Sequence, residues 1–365
     1  MGYAMSEKKA LSRPTSRDVA RLAGVSQTTV SFVLNEAANV SISEETRTRV
    51  RQAVVQLDYH PHDGARSLSR RASRAIGLAI PEADNPHYRD IAAGVELYAE
   101  SKGYTMVLAI TNFDIRRERQ ALAWLKQQRY DALIISSVHW AALREETRLM
   151  HRQGHPVTTL GLRDEPLDSV GPPSAVGERL IVEHLVALGH RFIGYIYGVF
   201  SLATFHQRLD ACLAVQRERG LPVVKRWVRH CGPTVADGFR ETHALLDDCA
   251  GSQRPTALIV VNDHLAIGVL AALHQAGIAV PEQISVASFD NTPLAPYLIP
   301  SLTSVDHDAR GMGQQAARLS IDRLTLPHGP PLHLDTSARL VARGSTGPAP
   351  PAPRQWGEKE APASG

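Results

Sequence analysis

The chain has 365 residues, of which 43% are hydrophobic, and a formal net charge of +3. This length suits one small unit and one large unit, and the apolar content is ample for a packed core. Three cysteines at irregular spacing argue against a disulfide framework and indicate a reducing compartment. No apolar run reaches the ~20 residues of a membrane-spanning helix, and the first residues lack the apolar core of a signal peptide, so we expect a cytoplasmic protein.

The charge is distributed unevenly along the chain. Residues 1–74 carry 12 Lys and Arg against 7 Asp and Glu, whereas the remaining residues carry 28 against 30. A basic amino-terminal part on a near-neutral body predicts a polyanionic partner at one end of the molecule. Residues 1–14 are polar and short of core residues, and we expect them to form a disordered arm.

Two short helices with a tight turn between them are predicted within residues 16–35. Thr15 and Ser16 are both suited to cap the first helix, and Gly24 ends it because glycine adopts the left-handed conformation without a Cβ penalty. The second helix begins after Ser26. Apolar residues recur at helical spacing in both helices: Val19, Ala20, Leu22, Ala23, Val30, Val33 and Leu34.

A third helix follows this pair. Ser43 is suited to cap it, and Glu44 and Glu45 fall in its first turn, where the helix dipole favours anions. Its apolar residues are expected to close the small core of an all-α headpiece over residues 15–60. Helix, glycine turn and second helix make up the helix-turn-helix pattern, whose second helix can enter the major groove of DNA.

The stretch SRDVARLAGVSQTTVSFVLN (residues 16–35) resembles the headpiece of the LacI/GalR family of bacterial transcriptional regulators. The family's DVA-LAGVS--TVS-VLN pattern is matched at nearly every position. The resemblance implies binding to double-stranded operator DNA through Ser16, Ser26, Gln27, Thr28, Thr29, Ser31, Phe32 and Asn35. Gln27 and Thr28 are base readers by position. Phe32 stands where many members carry an arginine that reads guanine, so we expect a departure from the usual operator sequence.

Residues 61–74 are expected to form a linker with a short hinge helix at residues 63–69. The family resemblance implies that this helix orders when the dimer sits on its operator. Leu68 matches the family's leucine that wedges between base pairs in the minor groove, although a contact with the next domain is an alternative. Arg66 and its neighbouring arginines suit phosphate neutralisation. His60 and His62 lack a third firm ligand, so no metal site is expected there.

Strands and helices alternate from Ala75 onwards. Buried-strand runs such as AIGLAIP, ALIISS and ALIVV are each followed by a segment with helical spacing. Repeated βα units of this kind predict parallel sheets with helices on both faces. Two such series indicate an α/β core of two Rossmann-like lobes that resembles periplasmic sugar-binding proteins. The predicted effector-binding and dimerisation core spans residues 75–346, with one lobe at about 75–168 and 306–332 and the other at about 175–303 and 334–346.

Ligands of such folds bind beyond the carboxyl ends of the strands, and in two lobes those ends face each other across a cleft. Candidate effector-binding residues follow strand ends or match family positions: His87, Tyr88, Arg208, Asn262 and Asp290. Asp290 is the leading candidate, because a carboxylate accepts hydrogen bonds from two sugar hydroxyls at once. His87 and Tyr88 are suited to stack on a sugar ring or a base.

Several of these assignments have alternatives. Arg208 matches the family arginine that reaches a ligand, but it is also suited to pair with a neighbouring carboxylate. Asp263 is suited to ligand contact or to capping the helix that follows, and Trp140 to roofing the pocket or to packing. The segment VGPPSAVG (residues 170–177) departs from the Asp-Asn pair usual in the family, which leaves the effector's identity open.

These features favour a homodimeric repressor of a pseudo-palindromic operator, controlled by a small polar effector, by preference a sugar or sugar derivative, bound between the lobes. Whether the effector releases or promotes DNA binding stays open. A transport or chemoreceptor protein would carry a signal peptide and no headpiece. An enzyme is disfavoured because P-loop, GxSxG, HExxH and strand-linked GxGxxG motifs are absent, and no cofactor is expected. Residues 347–365, rich in Pro, Gly and Ala, are expected to form a disordered tail.

Overall fold

The protein was analysed as a computed structural model. The structure describes residues 14–34, 40–59, 73–127, 129–161, 167–173, 175–198, 203–250, 253–326 and 329–351. The chain forms two compact units, one that ends at Ser73 and one that begins at Arg74. The first contains the predicted headpiece and the second the predicted two-lobed core.

The headpiece consists of three helices, as predicted: α1 (Ser16–Ala23), α2 (Gln27–Leu34) and α3 (Glu44–Gln56). Thr15 is the N-cap of α1, and its amide donates a hydrogen bond to the Asp18 carboxylate at 2.9 Å. Gly24 ends α1 with a φ of 65°, the left-handed conformation expected for this turn. Ser43 caps α3 by accepting a hydrogen bond from the Thr46 amide at 3.3 Å.

The headpiece has its own small apolar core. Buried residues from all three helices meet there: Val19, Ala20, Ala23, Val30, Val33, Val50 and Ala53. The expectation that Leu22 also faces this core is wrong, since 46% of its surface is exposed. Successive helical residues are 100° apart, so the stripe formed by Val19, Ala20 and Ala23 leaves Leu22 on the flank of α1.

The core contains two six-stranded sheets, which confirms the predicted fold class. The first lobe holds β1 (Ala75–Ile80), β2 (Thr105–Ile110), β3 (Ala132–Ile135), β4 (Val157–Leu160), β5 (Asp168–Gly171) and β11 (His333–Asp335), in the order β11-β5-β4-β3-β1-β2. All five strand pairs in this sheet are parallel. Its helices are α4 (Pro86–Ser101), α5 (Ile115–Lys126), α6 (Trp140–Arg152) and α11 (Ala309–Thr325).

The second lobe repeats this architecture. It holds β6 (Ile193–Gly198), β7 (Val228–Cys231), β8 (Ala257–Val261), β9 (Ser285–Phe289), β10 (Thr303–Asp306) and β12 (Arg339–Val341), in the order β12-β10-β9-β8-β6-β7. Its helices are α7 (Val176–Ala187), α8 (Ala203–Glu218), α9 (Val235–Asp248) and α10 (Asp263–Gln275), with 3₁₀ turns at Lys225–Trp227 and Ala295–Tyr297. Only the β10–β12 pair of this sheet is antiparallel among the pairs described.

Each sheet is covered on both faces by apolar residues. In β8, Leu258 and Val260 join one cluster of buried residues, whereas Ile259 and Val261 join the other. This alternation follows from the two-residue period of a strand, and it explains why the run ALIVV is apolar throughout. None of the helices described between residues 14 and 351 is both long and apolar enough to cross a bilayer.

Two boundaries differ from the sequence-based expectation. The sheet of the first lobe extends to Gly171, beyond the predicted boundary at residue 168. It also includes β11, whose residues Leu334 and Asp335 had been assigned to the second lobe. Residues 347–351 were expected to belong to a disordered tail, but they are ordered, and the rest of the predicted tail lies outside the described residues. Gly347 accepts a hydrogen bond from His190 at 3.1 Å, and the Ala349 amide donates to Leu188 at 2.8 Å, so the start of this segment is bound to the second lobe.

A buried ion pair joins α11 to β5. The guanidinium of Arg323 donates two hydrogen bonds of 2.7 Å to the Asp168 carboxylate, and both side chains are less than 10% exposed. We expect Arg323→Met to lower the free energy of unfolding by about 3–5 kcal/mol, because it leaves a buried carboxylate without its cation. Arg318→Met is the matched control on the same helix, since its exposed pair with Asp322 is worth about 0–1 kcal/mol. Urea unfolding measures both, and equal losses would contradict the prediction.

Candidate functional site

The first candidate site is the exposed face of α2 in the headpiece. Ser26 begins this helix, since its hydroxyl accepts a hydrogen bond from the Thr29 amide at 3.0 Å. Gln27, Thr28 and Ser31 are exposed, whereas Phe32 is half-buried. These predicted DNA contacts therefore lie on the helix surface that the headpiece core leaves free.

Two of the predicted DNA contacts hold each other in place. The side-chain amide of Gln27 donates a 2.8 Å hydrogen bond to the hydroxyl of Ser16, which connects the start of α2 to the start of α1. This contact fixes the direction of the Gln27 side chain, and the amide oxygen remains available as an acceptor for a base edge. The predicted contacts Asn35, Arg66 and Leu68 lie outside the described residues.

The second candidate site is the cleft between the two lobes of the core. All five predicted effector-binding residues line one cavity of about 70 Å³: His87, Tyr88, Arg208, Asn262 and Asp290. Ser136, Ser137 and Pro172 also contribute to its wall. Ligand pockets usually measure roughly 300 Å³ or more, so a ligand of sugar size requires the lobes to separate from this arrangement.

The first lobe contributes the loop between β1 and α4. Asn85 caps α4 by accepting a hydrogen bond from the His87 amide at 3.0 Å, and Pro86 occupies the first helical turn. The Asn85 side chain also donates to Glu82 at 3.1 Å. These contacts direct His87 and Tyr88 into the cleft, with their rings edge to face at 5.4 Å between centroids.

The second lobe contributes Asp290 directly after β9. Its carboxylate accepts a hydrogen bond from the Asn262 side chain at 2.7 Å and lies 3.6 Å from Nδ1 of His87, so it connects the two lobes. The backbone has positive φ angles of 100° at Asp290 and 48° at Asn291. This unfavourable conformation is held by a 2.8 Å hydrogen bond from the Asp290 amide to Val305. The carboxylate is thereby fixed at the cleft, where it is only 3% exposed.

Arg208 on α8 pairs with a carboxylate, which was one of the two alternatives, and it also lies at the cavity where a ligand contact is predicted. It lines the cavity, and its Nε lies 3.6 Å from the Glu178 carboxylate. The guanidinium also stacks over the ring of Phe289 at 5.2 Å. The pairing with a carboxylate and the position at the cleft are therefore compatible.

Asp263 and Trp140 lie in the interior instead of on the cavity wall. The Asp263 carboxylate accepts hydrogen bonds of 2.7 Å from the Thr292 amide and from the Ser304 hydroxyl, and the residue is 1% exposed. Burial, together with the nearby Asp290, raises the pKa of Asp263 to about 6. Trp140 packs into the core of the first lobe. Asp263 holds the loop after β9, and Trp140 does not roof the cavity.

Sequence reasoning missed His307, which follows β10 and is 1% exposed. Its ring stacks on Phe289 at 5.9 Å, and neither ring nitrogen has a hydrogen-bond partner among the described residues. Burial and the nearby Arg208 and His87 hold the pKa of His307 well below its usual range, so the ring is neutral. The signal was weak, because the strand β10 (TSVD) is short and three of its four residues are polar.

Glu82 lies on the loop between β1 and α4, where its carboxylate accepts a hydrogen bond from Asn85. Burial, with a further contribution from Asp290, raises its pKa from 4.5 to about 7. Between those two values the folded protein binds a proton that the unfolded chain releases, so the free energy of unfolding falls as the pH rises from 4.5 to 7. We expect Glu82→Gln to reduce this pH dependence of the free energy of unfolding. A smaller dependence of the same sign remains, because the pKa of Asp263 is also raised. The urea midpoint at pH 5, 6, 7 and 8 measures the effect.

The control for this prediction is Glu96→Gln, an exposed carboxylate on α4. We expect it to keep the pH dependence of the unmodified protein. If both variants show the same slope, Glu82 does not titrate near pH 7. Among the described residues, no group of three His, Cys, Asp or Glu side chains is arranged to hold a metal ion.

Comparisons with known proteins agree with this arrangement of two sites. Residues 15–62 match the model of "Bacterial regulatory proteins, lacI family", and residues 182–346 match "Periplasmic binding protein-like domain". The chain is 31% identical over 343 residues to the HTH-type transcriptional repressor PurR of Pectobacterium carotovorum. This match covers 92% of this chain and 98% of that protein.

Two solved structures resemble this chain over most of its length. The Lac repressor dimer, bound to operator and the anti-inducer ONPF, is 28% identical, with a TM-score of 0.79, and the match covers 92% of this chain and 100% of that one. The transcriptional regulator CelR in complex with cellobiose is 27% identical, with a TM-score of 0.68. The match covers 91% of this chain and 100% of that one.

Proposed function

The chain belongs to the lacI family of bacterial regulatory proteins, and from that premise we propose that it represses transcription under the control of a small molecule. The observation that carries this proposal is the presence, in one chain, of a helix-turn-helix with a polar exposed face and of a cleft into which five predicted ligand contacts converge. A transcriptional regulator acts on the bacterial chromosome, so we place it in the cytoplasm.

We propose a sugar or sugar derivative as the effector. Asp290 and Asn262 supply carboxylate and amide oxygens, and Arg208 and His87 supply nitrogen donors, around one small volume. Hydroxyl groups both donate and accept, so several hydroxyls on one ring match such a mixed set. The bound ligand of CelR, cellobiose, supports this class. The relationship to PurR makes nucleobases the second class to test.

We propose that the protein acts as a homodimer. The edge strand β2 of the first lobe exposes three large apolar residues, Val107, Leu108 and Ile110, each about 40% exposed, and Leu97 of α4 is 49% exposed. An exposed apolar edge strand is a liability unless another chain covers it. In the second lobe, Tyr297 and Ile299 are exposed as well. A two-fold dimer would place two headpieces on an inverted repeat, which the operator-bound Lac repressor dimer supports.

In-vitro selection tests the proposal. The purified full-length protein selects duplexes from a random pool at low salt, where phosphate contacts are strongest. We expect an inverted repeat with two half-sites. A selected site without two-fold symmetry would contradict the dimer. A pool that stays random at low salt, both without ligand and with pooled sugars and nucleobases added, would contradict sequence-specific binding.

Phe32→Arg should change the selected sequence. Phenylalanine can contact a thymine methyl but cannot donate two hydrogen bonds to a base, whereas arginine pairs with guanine through two donors. We expect the variant to shift the preferred base at one position in each half-site, with a discrimination of about 1–3 kcal/mol. The selection is repeated with the variant, and with Arg17→Gln, on the neighbouring helix, as a control. Identical selected sites for Phe32→Arg would show that Phe32 does not face the bases.

A further inference from the structure

A second cavity lies in the second lobe, at the edge of its sheet opposite the effector cleft. Its volume is about 750 Å³, within the range of roughly 300–1,000 Å³ that small-molecule pockets occupy. Its wall is built by the residues just before β6, β8 and β9, by the ends of α9 and α10 and by Ala349, Pro350 and Pro351. Asn262 and Asp290 follow the opposite ends of β8 and β9. A five-residue strand spans about 17 Å, so this cavity is separate from the cleft.

The floor of the cavity is apolar. Phe192, Leu246 and Ile278 are half-buried in the wall, and Cys249 is 6% exposed. Phe192 packs edge to face on the buried Trp227, with 6.0 Å between ring centroids, so the aromatic part of the floor is held in place. Apolar walls with a few polar groups are typical of sites that bind small organic molecules.

The polar part of the cavity is cationic. Arg191 and Arg254 line it, and none of the described residues in its wall is Asp or Glu. Neither arginine forms an ion pair with any residue that the structure describes. The carboxyl-terminal ends of α9 and α10 border the cavity and bring partial negative charge, which two full positive charges exceed. The net field therefore favours an anion.

We propose that this cavity binds a small amphipathic anion. The carboxylate, sulfonate or similar acidic group contacts the guanidinium groups of Arg191 and Arg254, and the aromatic or medium-chain body lies on Phe192, Leu246 and Ile278. Charge complementarity selects the acidic group, and the apolar floor excludes small inorganic anions as preferred ligands. The site is distinct from the cleft, so binding here does not depend on Asp290.

Titration of the full-length protein with 1-anilinonaphthalene-8-sulfonate tests the proposal, by fluorescence and by calorimetry for the number of sites. We expect one site per chain. The double variant Arg191→Gln, Arg254→Gln should raise the Kd of the probe about tenfold or more, because it removes charge-assisted contacts. Arg217→Gln is the matched control, an exposed arginine on α8 outside the cavity, and should leave the Kd unchanged.

Two further measurements separate this site from other apolar surfaces. Ala250→Trp, at the cavity wall, should weaken probe binding by occupying part of the volume, with the unfolding midpoint measured in parallel. Decanoate should displace the probe at least tenfold more effectively than decan-1-ol, which has the same chain length and no charge. An unchanged Kd in the double arginine variant overturns the proposal. The proposal is also overturned if the probe binds only after removal of residues 352–365. In that case the carboxyl-terminal segment, and not a small anion, would be the occupant of the cavity in the intact chain.

Discussion

Replacing Asp290 with asparagine is expected to weaken effector binding by roughly 100-fold while operator binding by the effector-free protein stays unchanged. The carboxylate is nearly completely buried, faces the cavity and accepts from Asn262 at 2.7 Å. An asparagine of the same shape offers one acceptor oxygen and one donor group, so it loses a charge-assisted hydrogen bond and mismatches a second one. Calorimetry with the identified effector, and fluorescence anisotropy with labelled operator, measure the two affinities.

The stability of the Asp290→Asn variant distinguishes a binding defect from misfolding. Asp290 contributes to the raised pKa values of both Glu82 and Asp263, so removal of its charge should bring those values down and leave the core at least as stable near pH 7. Asp263→Asn is the matched control after the neighbouring strand. It should lower the unfolding midpoint, because Asp263 holds the Thr292 amide and the Ser304 hydroxyl. If Asp290→Asn instead binds effector normally, Asp290 is not a ligand contact.

Val50→Asp is expected to abolish specific operator binding, lowering affinity by 100-fold or more, without changing effector binding. Val50 is fully buried in the headpiece core, where it meets residues of α1 and α2. A buried carboxylate without a partner costs more than the few kcal/mol that stabilise a unit of this size. The two-lobed core that holds the cleft lies in the other compact unit, so we expect it to keep its own unfolding transition.

Val55→Asp is the control for this prediction, because it adds the same charge to the same helix at a position that is 81% exposed. We expect it to retain most of the operator affinity. Circular dichroism and operator anisotropy on both variants make the comparison. Equal losses in the two variants would mean that charge on α3, not the headpiece core, determines DNA binding.

Much of the fold can be predicted from the sequence because several central parallel strands are apolar throughout. Runs such as AIGLAI in β1 and ALIVV in β8 are buried on both faces and contrast with the amphipathic helices that follow. The position of the cleft can also be predicted from the sequence, for a related reason. Asn262 and Asp290 come directly after β8 and β9, and topology alone brings those strand ends together.

The elements that sequence reasoning missed have weak local signals and depend on tertiary contacts. Helix α11 contains Gly311 and Gly313, which disfavour helices, yet Gly313 is required because a Cβ there would lie 2.1 Å from the carbonyl oxygen of Ile91 on α4. The exposed strand β11 (HLD) pairs with β5 far away in the chain. His307 was missed because its strand β10 was missed, and Asp263 has a structural role that only its distant partners reveal.

Control of the operator by the effector requires different effector affinities in two arrangements of the lobes. The cavity of about 70 Å³ is smaller than most ligand pockets, so under the proposed function the described arrangement is the narrow one and a ligand-bound cleft is wider. Asp290 and His87 come from different lobes and approach to 3.6 Å in the narrow arrangement. A ligand inserted between them changes the separation of the lobes.

Coupling between the cleft and DNA binding is measured as the operator affinity of the intact chain while sugars and nucleobases are titrated. We predict that a compound bound in an Asp290-dependent manner changes the operator Kd about fivefold or more. Linkage requires that the operator change the affinity of that compound by the same factor. A compound that binds the cleft through Asp290 and leaves the operator Kd unchanged would contradict the account.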